Sequence, residues 1–221
     1  MYSGEHYFDS WKLSRLGKFT ASKIHLCMKP KGIGEGGLSY IRSRIGEELT
    51  GVSSEKEINT DAMKWGLEHE PASIKIFQEL KQAQFVSVQS LISDPETRFG
   101  CTPDAVWIKS ESSDGLSYEV STYETKSYPT YENHIACALC ETPAQIKVQD
   151  VEAYYQTIMQ MDECGALVGY LGYYNPLFKV GSYRLIEFRK INLVEEFKLL
   201  NQRKKEIIEI FNREREVLIN L

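Results

Sequence analysis

The stretch Gly100–Lys126 constrains this 221-residue chain more than any other. It runs from G-C-T-P-D to Y-E-T-K, with Asp104 on a Pro-Asp step, Glu124 twenty residues later and Lys126 two beyond that. Arg98–Ile108 and Tyr118–Lys126 are rich in Val, Ile, Phe and Tyr and read as strands. The polar run Lys109–Gly115 between them ends in Asp114-Gly115, a hairpin-type turn. If the two strands pair, Asp104 and Glu124 lie on neighbouring strands. Residues two apart on a strand share a face, so Glu124 and Lys126 point together. Thr125 points to the other face, with its carbonyl still in reach of an ion held by Glu124. Two carboxylates and a carbonyl are a minimal protein share of a magnesium shell, since magnesium takes hard oxygen ligands and keeps several waters. An ion so held bridges a scissile phosphate and activates water. A lysine beside it orients or deprotonates that water, or neutralises charge on the phosphate. Pro-Asp and Glu-x-Lys are each common in turns and on exposed strands, so the pair needs support from the rest of the chain.

Around this stretch the pattern alternates between helical and strand periods. Thr20 or Ser22 can cap a helix carrying Ile24, His25 and Met28, which places Arg15 and Ser22 at an anion-favouring helix start. Lys29–Gly37 reads as a flexible loop without the P-loop spacing, and Leu38–Thr50 as an amphipathic helix closed by Gly51. Asn59 or Thr60 can cap the next helix, in which Pro71 should kink the chain or begin a second segment beside Glu70. Phe85–Ile92 reads as a further strand, Tyr128–Thr142 as a loop with weak helical character, and Gln145–Met161 as a helix. On that helix Gln156 and Gln160 are four apart and share a face. Ala166–Tyr174 and Tyr183–Arg189 read as strands, and Ile191–Leu221 as a long charge-laced helix. The order predicts an α/β (α+β) fold, a mixed central β-sheet flanked by helices, in a single domain over 1–221. Its parts would be an N-terminal helical segment at 1–60, a core at 61–190 and a C-terminal helix at 191–221.

Composition bounds the setting. Hydrophobic residues make up 42% and charged residues 26% of the chain, as in ordinary globular proteins. No apolar run approaches the ~20 residues that span a bilayer, and Met1–Ser10 has no apolar core of a signal peptide. Five cysteines, an odd number, argue against a disulfide framework and for a reducing, cytoplasmic setting. The formal charge of −5 is unevenly spread: residues 1–44 hold eight basic and three acidic side chains, a net +5, which leaves −10 for the remainder. A basic segment on an acidic body suits local phosphate contacts as well as it suits a solvated face.

The ordered motifs resemble the PD-(D/E)XK nuclease superfamily and, within it, the phage lambda exonuclease and YqaJ-like viral recombinase family. They are W-x3-R-L-G-K-x-T-A-S at Trp11–Ser22, W-G-x3-E at Trp65–Glu70, C-T-P-D at Cys101–Asp104, E-x-K at Glu124–Lys126, Tyr154-Tyr155-Gln156, and Y-Y-N-P at Tyr173–Pro176. The resemblance implies a restriction-endonuclease-like core. Asp104, Glu124 and the Thr125 carbonyl would hold Mg2+, two ions per site with Mn2+ as a substitute, and Lys126 would act on the attacking water. Glu70 would support the metal shell and Gln156 would reach the site from its helix. Arg15 would grip a 5′-terminal phosphate, with the hydroxyls of Ser22 and Thr102 beside it; a guanidinium suits that task through paired charge-assisted bonds. The implied activity is 5′-to-3′ digestion of one strand of linear double-stranded DNA, releasing mononucleotides and leaving a 3′ overhang for strand annealing. The implied assembly is a homotrimeric ring around DNA, with a single-strand annealing protein as partner, no membrane, and a bacterial host cytoplasm as the setting. Against the family pattern, Ala105 stands where glycine is frequent, Thr102 where serine is, and Ile158 where a second glutamine is often found, with Gln160 two residues on.

Other functions compete for the same residues. A structure-specific or restriction-type endonuclease could use the same core, and Arg15 discriminates, since a terminal-phosphate clamp is idle in an endonuclease. A catalytically inactive DNA-binding module would be expected to lose one of Asp104, Glu124, Lys126 or Glu70. Cys137, Cys140, His134 and Cys164 could offer zinc ligands, but a structural zinc site usually shows two tight pairs and the second is missing.

Overall fold

The computed structural model describes residues 13–54, 60–82, 91–93, 97–110 and 118–221. Its centre is a mixed four-stranded sheet. Strands β3 (Ala105–Ser110), β4 (Tyr118–Lys126), β5 (Val168–Tyr174) and β6 (Tyr183–Arg189) stand in the order β3-β4-β5-β6. β3 and β4 are antiparallel, with Ala105 opposite Tyr123 and Ser110 opposite Tyr118. β4 and β5 are parallel, with Glu124 opposite Leu171 and Lys126 opposite Tyr173, and β6 returns antiparallel to β5. A second, two-stranded parallel sheet joins β1 (Phe19–Thr20) to β2 (Phe99–Gly100).

The helices divide between the two faces of the sheet. α2 (Asp61–Lys81) lies on one face, where Phe77 stacks on Tyr123 with ring centroids 4.1 Å apart, in a small core with Ala105, Val168 and Tyr170. The other face carries Leu171, Tyr173, Ile186 and Phe188. These pack with Tyr154, Ile158 and Met159 of α5 (Val151–Glu163) and with Phe197, Leu200, Ile207 and Phe211 of α6 (Val194–Ile219). Burying one such side chain contributes about 1.5–3 kcal/mol. The period-two alternation of Tyr123, Glu124, Thr125 and Lys126 is therefore an alternation between two buried faces, which fixes the register of β4. Among the described residues no helix is long and apolar enough to cross a membrane, and all five cysteines are free.

Several expected elements are redrawn. The expected strand Arg98–Ile108 is two strands, β2 and β3, because Pro103 has no N–H to donate to a ladder. The expected helix Gln145–Met161 is two helices, α4 (Pro143–Gln149) and α5, broken at Asp150. The Asp150 side chain accepts from Ala153 N at 3.1 Å as the cap of α5 and takes the hydroxyls of Tyr128 and Tyr173 at 2.5 and 3.1 Å. The Tyr128–Thr142 segment, expected as a loop, holds α3 (Tyr131–Ala138). The Lys29–Gly37 loop ends early, since α1 (Glu35–Thr50) begins inside it. Gly37 there serves close packing, as a Cβ would stand 2.6 Å from Ile33 Cγ2 and 3.0 Å from the Leu26 carbonyl. The helix after Thr20 is a 3-10 helix, Ala21–Cys27. α2 runs through Pro71 as one helix, where a kink or a second segment was expected. A 3-10 turn at Lys190–Asn192 precedes α6, and β5 begins at Val168. Most of the expected strand Phe85–Ile92, the Asp114-Gly115 turn, Asn59 and Trp11 lie outside the described residues. Ile92 itself forms an antiparallel bridge with Cys101.

Candidate active site

The carboxylates come together because β3 stops one residue short of Asp104. β4 continues past its last partner on that side, Ala105 opposite Tyr123, and leaves the Thr125 N–H without a ladder mate. Asp104 Oδ2 accepts that N–H at 2.7 Å. In an extended strand the N–H and C=O of one residue leave on the same side, so the Thr125 carbonyl faces the Asp104 edge. The Thr125 side chain turns to the opposite face, where its hydroxyl lies 2.6 Å from Ser73 Oγ of α2.

Glu124 and Lys126 project together toward α5. The Lys126 Nζ donates to Glu124 Oε1 and to Gln156 Oε1, both at 2.9 Å. Gln156 Nε2 donates to Glu124 Oε1 and Gln160 Nε2 to Glu124 Oε2, each at 2.6 Å. Glu124 is thus a buried carboxylate held by one cation and two amides from successive turns of one helix. The shared face of Gln156 and Gln160 is as the four-residue spacing predicts. Gln160 was not assigned a role from sequence; that spacing was its only signal.

Glu70 enters from α2, one turn before Ser73, whose hydroxyl meets Tyr123 OH at 2.7 Å and anchors the helix to β4. Burial, and next the charge of Glu124, raise the proton affinity of Glu70, while Lys126 counters them. Asp104 is pushed well above the usual carboxylate range, first by burial and then by the charges of Glu124 and Glu70; the Thr125 N–H and Lys126 oppose this. Burial disfavours the charge on Lys126, but Glu124 and Asp104 outweigh it and hold the ammonium above its ordinary range. Three acids sharing one lysine form a pocket with excess negative charge.

That excess, with oxygen donors only, fits a hard dication. Among the described residues no group of three His, Cys, Asp or Glu side chains is placed to hold a metal ion; magnesium takes oxygen ligands and keeps several waters, and Asp104, Glu124 and the Thr125 carbonyl offer such oxygens. Cys164 lies beside Cys101 with the sulfurs 3.7 Å apart, away from the Cys137–Cys140 pair. His134 Nε2 lies 2.9 Å from the Gly181 carbonyl oxygen and Cys140 Sγ donates to the Ala136 carbonyl, so these residues are engaged elsewhere than in a zinc site.

The basic N-terminal segment meets the same loop from the other side. Arg15 Nη1 lies 3.5 Å from Thr102 Oγ1, two residues before Asp104. Two residues span at most about 7 Å of chain, so the guanidinium and the carboxylate cluster share one short segment. Side chains of α1 hold the Arg15 segment in place. Gly17, at φ 69°, donates its N–H to Glu47 Oε2 at 3.0 Å, and Thr20 N donates to Tyr40 OH at 2.9 Å. Glu47 is buried, paired with Arg44 at 3.0 Å, and its second oxygen accepts Ser54 N at 2.8 Å. Nothing local in the sequence marked Glu47 or Tyr40 for this. Ser22 sits in the 3-10 helix with its hydroxyl 3.4 Å from that of Thr20; Arg15 and Thr102 are brought together, and Ser22 is tied to Thr20.

The family described as the YqaJ-like viral recombinase domain matches residues 10–161. The fold is that of a crystal structure of LHK-Exo in complex with dAMP, at 24% identity over 95% of each chain with a TM-score of 0.73. It is also that of the alkaline exonuclease LHK-Exo from Laribacter hongkongensis, at 22% identity over 96% of each chain with a TM-score of 0.73. A phage-related exonuclease from Haemophilus somnus 129PT shares it at 12% identity, over 92% of this chain and 95% of that one, with a TM-score of 0.63. No curated protein matches the chain. The mixed sheet flanked by helices is accordingly the fold of these exonucleases, consistent with a PD-(D/E)XK-like core.

Proposed function

The chain belongs to the YqaJ-like viral recombinase domain family, and from that premise we propose that it is a magnesium-dependent exonuclease. It would degrade one strand of linear double-stranded DNA from 5′-phosphorylated ends. The observation that carries this reading is the single segment Thr102–Asp104, which meets Arg15 at one end and the Thr125 N–H at the other. Three consecutive residues thus link a cation that suits a terminal phosphate to a carboxylate cluster that suits phosphodiester hydrolysis.

In this reading Asp104, Glu124 and the Thr125 carbonyl hold the dication, which supplies charge neutralisation and water activation when bound. Gln156 and Gln160 fix the rotamer of Glu124 and keep its oxygens aimed into the pocket. Glu70 adds negative charge that strengthens cation binding. Lys126 is an ammonium in this environment, so it orients the water and stabilises charge growing on the phosphate, and the role of proton acceptor passes to the solvent side. Arg15, with Thr102 and Ser22, grips the 5′-phosphate through charge-assisted bonds. The neighbour that holds dAMP carries a mononucleotide, the product class of such a reaction. A homotrimeric ring, a strand-annealing partner and work in a bacterial host cytoplasm belong to the same proposal; sedimentation of a monomer at working concentration would remove the ring.

The test is digestion of one sequence in two forms. Linear duplex with 5′-phosphates should be degraded to mononucleotides with Mg2+ and spared in chelator, while the closed circle survives. Nicking of the circle by pure protein would replace the exonuclease with an endonuclease on the same core.

A further inference from the structure

Cys101 and Cys164 are 63 residues apart in sequence, yet their sulfurs lie 3.7 Å apart, at contact distance. Cys101 is buried and belongs to the segment that continues through Thr102 to Asp104. Cys164 is partly exposed and caps the C-terminus of α5, the helix that carries Gln156 and Gln160. Phe99, two residues before Cys101, and Glu163, adjacent to Cys164, both line a cavity of about 770 Å³. No other described cysteine pair joins two parts of the site in this way.

We propose that Cys101 and Cys164 are a modification site, oxidised by hydrogen peroxide to a reversible disulfide that turns the nuclease site down. The regulatory half of this inference rests on the nuclease reading above; the cross-link does not.

Cys164, the accessible sulfur, meets the oxidant. Its thiol takes one oxygen from the peroxide to form a sulfenic acid, and water leaves. The Cys101 thiol then attacks that sulfur, the S–S bond forms, the S–O bond breaks and a second water leaves. Two thiols thereby give two electrons and two protons to one peroxide, which becomes two waters. The hydrogen-bonding contact with Cys164, and next burial, raise the proton affinity of the Cys101 thiol, so the more exposed Cys164 meets the oxidant and Cys101 resolves it. A disulfide bond is about 2 Å long, so closure draws the sulfurs together by under about 2 Å, mostly by side-chain rotation. The Cys101 backbone is held by paired bonds to Ile92 at 2.8 and 2.9 Å, so the remaining displacement falls on Thr102–Asp104 and on the end of α5. Shifts of about 1 Å in a catalytic constellation cost up to about a hundredfold in rate. A loss of at least about tenfold is expected here.

The full chain, reduced, is treated with hydrogen peroxide and compared with an untreated sample by non-reducing peptide mapping and by digestion of linear 5′-phosphorylated duplex. The expected results are a peptide joining Cys101 to Cys164, a tenfold or greater loss of rate, and recovery with dithiothreitol. Cys164→Ser should show neither the cross-link nor the reversible loss. Cys101→Ala should leave Cys164 to proceed to sulfinic acid, visible by mass even if that variant is less stable. Absence of the joined peptide from folded, treated protein overturns the site. A joined peptide with unchanged rate overturns the regulation. If the reduced protein digests no DNA, the nuclease reading fails while the peptide map still decides the cross-link.

Discussion

Asp104, Glu124 and Lys126 are placed by backbone pairing, whereas Arg15 and Thr102 are placed by side chains reaching in from other elements. The first group stands at the end of a four-stranded sheet whose register is enforced by apolar cores on both faces. A one-residue slip of β4 would send Glu124 and Lys126 to the α2 face, so the geometry is guarded by the whole core. The Arg15 segment has a two-residue strand and a 3-10 helix for backbone, and its position depends on Glu47 and Tyr40 of α1. Under the proposed function, the first group should therefore fail by loss of chemistry and the second by loss of selectivity.

That contrast can be broken experimentally, beginning with the largest effect. Asp104→Ala should lower the cleavage rate by about a thousandfold or more at unchanged fold, checked by single-turnover digestion beside circular dichroism. Activity left within tenfold of wild type would contradict the metal assignment. Gln160→Leu should lower the rate about 10- to 100-fold, the usual effect of removing a group that orients a metal ligand, with the dependence on Mg2+ concentration shifted upward. Arg15→Ala should remove the preference for a 5′-phosphate over a 5′-hydroxyl end, an effect of about tenfold or more from the loss of a charge-assisted contact of about 1.5–3 kcal/mol. The catalytic step on bound ends should be nearly unchanged. Glu47→Gln should weaken the same preference by only a few fold and lower stability by about 1–3 kcal/mol, because the buried ion pair with Arg44 is lost while Gly17 keeps an acceptor. An effect on cleavage equal to that of Asp104→Ala would erase the distinction between the two regions.

The pH response sharpens the same comparison. Without a divalent cation, the folded protein binds protons at Asp104 and Glu70 more tightly than the unfolded chain does. Their contribution to stability is therefore fully present below the ordinary carboxylate range near ~4 and is lost as pH rises through the raised folded values. Under the proposed function, bound Mg2+ would offset the repulsion at high pH. The melting temperature should thus rise on adding Mg2+ at pH 8, at about 2–4 °C per kcal/mol of linked binding, and the rise should vanish toward pH 4. A Mg2+ shift independent of pH would separate the cation from these carboxylates. Asp104→Asn should suppress most of the shift and Arg15→Ala none of it.

Much of the carboxylate–lysine cluster was legible because its information is local. Tyr118–Lys126 and Tyr183–Arg189 have the boundaries their alternation predicts, and the shared face of Gln156 and Gln160 follows from helical spacing alone. The capping box Thr142-Pro143-Ala144-Gln145 was equally local, with both reciprocal bonds formed, although the expected helix began three residues later than Thr142. The break at Asp150 was harder, since an Asp in a helical run is unremarkable until the hydroxyls of Tyr128 and Tyr173 hold its side chain.

Sequence by itself determined the type of β4, β6 and the Gln156–Gln160 helix, the common face of Glu124 and Lys126, and the presence of hard-oxygen ligands beside a lysine. Those follow from the fixed periods of extended and helical backbone, which act over two to four residues. Only the tertiary structure decided that Glu70 shares the field of Asp104 and Glu124, that Glu47 sets the Gly17 turn, and that Cys164 touches Cys101. These partners stand 30 or more residues apart, and no backbone period extends so far. Their meeting is set by how the faces of α1, α2 and α5 bury against the sheet and against one another.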